Sequence, residues 1–60
     1  MSVGMNRQFI LRIEHEGRVS FRVVRGSREA LQLAETYAGQ NVRQHIAVLD
    51  AAGRVIWSSN

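Results

Sequence analysis

Cysteine, proline and lysine are all absent from this 60-residue chain, and no apolar run approaches the roughly 20 residues that cross a bilayer. Without cysteine there is neither a disulfide framework nor a thiolate metal site. Without proline, glycine is left to punctuate the chain. The opening "MSVGMNRQ" lacks the apolar core of a secretory leader, so a cytoplasmic protein without membrane association is expected. The eight basic residues are all arginine, a bias that points to a GC-rich bacterial or phage genome.

What is present is ordinary globular composition: 45% apolar and 22% charged residues, far from the signature of disorder. Sixty residues make a single domain, assigned to 6–60, with 1–5 expected to form a flexible N-terminus. A chain this short buries only about 60% of the surface its unfolded form exposes, so its stability is marginal. With no disulfide or thiolate-bound metal to add to it, oligomerisation is the remaining route, and a homodimer is expected. Five acids offset the arginines to a net charge of +3, too small by itself to indicate a polyanion-binding protein.

The glycines at 4, 17, 26, 39 and 53 fall between stretches of different periodicity. "NRQFILRIEHE" and "RVSFRVVR" alternate with the period of two expected of half-buried strands, and "HEGR" between them reads as a hairpin turn. After Gly26 the period becomes helical. Ala30, Leu31, Leu33, Ala34, Tyr37 and Ala38 fall on one arc, with Ser27 expected as N-cap and Gly39 as the helix end. Two further strands flank "DAAGR", where Asp50 is expected to start a turn and Gly53 to take a positive φ. The order is ββαββ, an α+β two-layer unit with a four-stranded, mainly antiparallel sheet and one helix on one face. Keeping neighbours antiparallel gives strand order 2-1-3-4.

A hairpin, an alanine-centred helix and a closing hairpin written "IAVLDAAGRVIW" resemble small uncharacterised bacterial ββαββ domains whose last hairpin carries an Asp-x-x-Gly-Arg turn. The likeness spans most of the chain. It implies the layout and carries no residue role with it.

Alternation assigns Phe9, Leu11, Ile13, Val19, Phe21, Val23, Ile46, Val48, Val55 and Trp57 to the helix side of the sheet. The opposite face is expected to show Ile10, Arg12, Glu14, Ser20, Arg22 and Val24, then Arg43, His45, Ala47, Leu49 and Ile56. Because "IAVL" and "VIW" are apolar on both sides, His45, Ala47, Leu49 and Ile56 are the expected contact with a second copy or a protein partner, across the face or along the edge at "RVIW". Singly exposed apolar side chains, by contrast, need no explanation. The alternative is a nucleic-acid surface built on Arg12, Arg22, Arg43 and Arg54. It is weakened by Glu14 on the same face and by the assignment of all four aromatics to the core, which leaves none for base stacking.

Signals for catalysis are sparse, and neither an enzyme nor a cofactor is expected. "EHE" at 14–16 splits its carboxylates from His15 across the strand, poor geometry for a metal. Ser20, His45 and Asp50 are the residue types of acyl transfer, but no nucleophile elbow accompanies them. "RGSRE" has one glycine before a helix and reads as a plain cap. The sequence therefore favours a small non-enzymatic interaction module, a homodimer that acts by binding another macromolecule.

Overall fold

A computed structural model of the chain describes residues 7–41 and 43–59; the segment 1–5 assigned to a flexible N-terminus lies outside the described residues. The elements are β1 (Gln8–His15), β2 (Arg18–Arg25), α1 (Ser27–Gln40), β3 (His45–Leu49) and β4 (Val55–Ser58). The four strands form one antiparallel sheet in the order β2-β1-β3-β4, with α1 packed on one face. This is the ββαββ layout, and the strand order, read from the sequence. Among the described residues no helix is long and apolar enough to cross a membrane.

The first hairpin overturns one expectation. Glu16 and Gly17 both take positive φ, 53° and 78°, so the chain reverses in two residues and His15 pairs with Arg18. That register places Phe9 opposite Val24, Leu11 opposite Arg22 and Ile13 opposite Ser20. Directly paired residues share a face. With Phe9 and Leu11 facing the helix, β2 must therefore turn Ser20, Arg22 and Val24 the same way and send Val19, Phe21 and Val23 to the other side. The assignment of those three residues to the core was wrong because a two-residue turn pairs odd-numbered with even-numbered positions. A one-residue shift flips every side chain of a strand.

Helix α1 forms because its apolar residues recur at three- and four-residue spacing. Ala30 and Ala34, one turn apart, are both fully buried, and their small side chains let the helix lie close to the sheet. The helix starts one residue earlier in the cap than expected: Gly26, not Ser27, is the N-cap, with no side-chain capping bond. Gly26 donates its N–H to Arg7 O at 3.0 Å, still part of the ladder to β1, while its carbonyl accepts from Ala30 N–H at 3.1 Å. Leaving a strand and entering a helix at one residue requires φ 90°, and a Cβ there would collide with the Glu29 carboxylate. At the other end the helix continues through Gly39 to Gln40. Asn41 stops it: its backbone is extended and its Oδ1 accepts from Arg43 N–H at 2.9 Å.

The closing hairpin follows the reading of "DAAGR". Asp50 Oδ1 accepts from Ala52 N–H at 3.0 Å and Arg54 N–H at 2.9 Å, and Gly53 has φ 86°. The pairing slips between Val48 and Leu49: Val48 faces Trp57, yet Leu49 faces Val55. Ile56 is the extra residue of a bulge. Val55 consequently leaves the core face on which alternation had placed it, and is 55% exposed.

The core lies between sheet and helix. Phe9, Leu11, Ala30, Ala34, Ile46 and Val48 are buried, with Ile13, Val24, Leu31, Leu33, Tyr37, Ala38 and Trp57 packed around them.

Candidate interaction interface

The register of all four strands defines the face away from the helix. Val23, Ile10, Leu49 and Val55 are paired in succession and form one apolar row running from β2 across β1 and β3 to β4. The next row is Phe21, Arg12, Ala47 and Ser58, and the third is Val19, Glu14 and His45. Val19, Phe21, Val23, Val55 and Ile56 are 43–66% exposed. Their area is on the order of 500 Å², at the upper end of what the largest patch on a monomeric protein shows.

The expected contact residues fall within or beside this surface, with unequal weight. His45 and Leu49 are on the face, Ile56 is 43% exposed at the bulge, and Ala47 is on the face but only 8% exposed, so it offers little surface of its own. The largest contributions come from Val19, Phe21 and Val23, which sequence reasoning had placed in the core. The signal that finds them is the length of the "HEGR" turn.

The charged groups of the face are few. Arg12 donates from Nη2 to Glu14 Oε1 at 3.3 Å, and both side chains are partly exposed. Arg22 lies on the helix side, its guanidinium carbon 5.8 Å from the centre of the Tyr37 ring. Arg43 is in the loop between α1 and β3, and Arg54 is in the turn before β4. The four arginines expected to line a nucleic-acid surface thus do not share a face, because the two-residue turn separates Arg12 from Arg22. The same turn puts one aromatic, Phe21, on the outer face after all, opposite Arg12.

Residues considered for chemistry are not assembled. Ser20 faces the helix side, His45 the opposite side, and Asp50 is engaged in its turn. His15 ends β1 on the helix side, with Nε2 3.7 Å from Glu16 Oε2. Among the described residues no three His, Asp or Glu side chains gather as metal ligands. A depression of about 360 Å³ lies beside Arg7, Gln8, Phe9 and the Asp50–Ala52 turn, and one of about 370 Å³ beside Val24, Glu29, Gln32, Leu33 and Thr36. The second has Glu29 and Thr36 in its lining, but the Thr36 hydroxyl donates to Gln32 O at 2.9 Å, the bond of a helical side chain to its own preceding turn. No family model matches the chain, and no curated protein or solved structure matches it.

Proposed function

We propose that this protein is a small non-enzymatic interaction module that pairs with a second copy of itself through the sheet face opposite the helix and acts by binding another macromolecule. The observation that carries the reading is the continuous row Val23–Ile10–Leu49–Val55, flanked by exposed Phe21 and Val19. Antiparallel sheets with one solvated face alternate apolar with polar residues; this one carries a full apolar row on its outer face as well. Half-buried Ile10 and Leu49 join the exposed side chains into one patch at the top of the roughly 300–600 Å² range of the largest patches on monomers, a size that often marks an interaction site.

Two copies related by a twofold axis place the same patch on itself. Arg12 and Glu14, adjacent on one face, give that self-contact opposite charges to exchange. Sedimentation equilibrium tests the reading: a dimer at tens of micromolar is expected, and a chain that stays monomeric there overturns it. A nucleic-acid reading has Phe21 beside Arg12 in its favour, the pairing of aromatic and guanidinium groups on which bases stack. It predicts that single-stranded DNA binds at low salt with an affinity falling steeply as salt rises, and absence of binding at low salt ends it.

A further inference from the structure

The open edge of β2 is a second surface, bordering the face at Val19, Phe21 and Val23. β2 is bonded to β1 on one side and, among the described residues, has no strand on the other. Antiparallel ladders alternate bonded and non-bonded pairs. Gly26 N–H donates to Arg7 O, which places the even-numbered residues of β2 in the bonded pairs with β1. The N–H and C=O groups of Val19, Phe21 and Val23 therefore point to the open side. Such an edge is a template for one more strand.

The side chains along the edge say which strand fits. Arg18, Arg22 and Arg25 stand on β2, and its sequence contains no acid. Pairing with a second copy of β2 would bring Arg18 and Arg22 of both strands onto one side with no carboxylate from either strand, so self-pairing at this edge is opposed. Arg18 and Arg22 lie on the helix side, and Arg22 is held there over the Tyr37 ring. Val19, Phe21 and Val23 lie on the outer side. A strand laid along the edge places alternate residues beside each set.

We infer that the β2 edge receives an extended acidic peptide in which carboxylates alternate with apolar residues. The carboxylates lie beside Arg18 and Arg22, the apolar side chains lie beside Val19, Phe21 and Val23, and the backbone completes the ladder. Neutral and basic strands are selected against by the same arginines.

The test titrates the isotopically labelled full chain with an end-capped peptide alternating Glu and Val, of the same 8-residue length as β2. Amide resonances of Val19, Phe21 and Val23 are expected to shift, with their hydrogen exchange slowed. The same peptide with Lys for Glu binds about tenfold more weakly or worse. Phe21→Pro removes an outward N–H while sparing the ladder to β1, and it abolishes binding in a chain that far-UV circular dichroism shows to be folded. Should that variant not fold, Arg18→Glu/Arg22→Glu reads the same point by reversing the preference to the Lys peptide. Equal binding of both peptides, an unreversed preference, or shifts confined to residues outside β2 overturns the proposal. So does an oligothymidylate of equal charge that reproduces the Val19, Phe21 and Val23 shifts at the same midpoint, since the edge would then be reading charge alone.

Discussion

Replacing Phe21 by Thr separates association from folding. Phe21 is 63% exposed, whereas Phe9, on the helix side of the neighbouring strand, is 6% exposed. Burying a whole Phe side chain stabilises by roughly 1.5–3 kcal/mol, so covering the exposed part of Phe21 contributes about 1–2 kcal/mol per copy. A twofold contact uses it twice, and Phe21→Thr is expected to weaken the dimer by about 2–4 kcal/mol, roughly 30- to 1,000-fold in Kd. Within one copy the same change removes little packing and keeps a residue suited to strands, so monomer stability moves by about 0.5 kcal/mol. Sedimentation equilibrium reads the first effect. Urea unfolding followed by fluorescence of Trp57, half-buried against the core, reads the second when both proteins are diluted below the dimer Kd. A variant that associates as tightly as its parent refutes the reasoning, as does one that loses the several kcal/mol expected of a core Phe.

Three further outcomes follow from the packing and hydrogen bonds of the fold. Leu11→Ala empties a fully buried site between sheet and helix and is expected to lower unfolding free energy by about 2–5 kcal/mol, enough to unfold much of so small a chain, as measured by urea titration. Asp50→Ala leaves the N–H groups of Ala52 and Arg54 without their acceptor and destabilises the closing turn by about 1–2 kcal/mol, while Asp50→Asn, which keeps Oδ1, recovers most of that in thermal melts. Arg12→Ala breaks an ion pair whose side chains are about 40% exposed, so it changes monomer stability by less than about 1 kcal/mol, and high salt removes the difference.

Much of the fold is legible in the residues. Two period-two stretches, a helical arc centred on Ala30 and Ala34, and the "DAAGR" turn are local patterns, and each formed where the spacing put it. The strand order followed from keeping neighbours antiparallel. The candidate site was only half legible. Its β3 and β4 portion was found because those strands are apolar on both sides. Its β2 portion was not, because apolar alternation in "RVSFRVVR" suits a core face and an outer face equally well. Alternation tells which residues of a strand share a side, not which side that is; the "HEGR" turn length carries that information. Ser27 and Gly39 were assigned by residue preference, but the ladder bond from Gly26 to Arg7 and the acceptor on Asn41 decided the helix ends.

By itself, then, the sequence determined the number, kind and order of the elements, because those depend on interactions a few residues apart. The tertiary structure decided which side of β2 meets the helix, where β4 slips past β3, and that Arg12 and Arg22 stand back to back. Those outcomes depend on register between strands, and there a single residue reverses every side chain that follows.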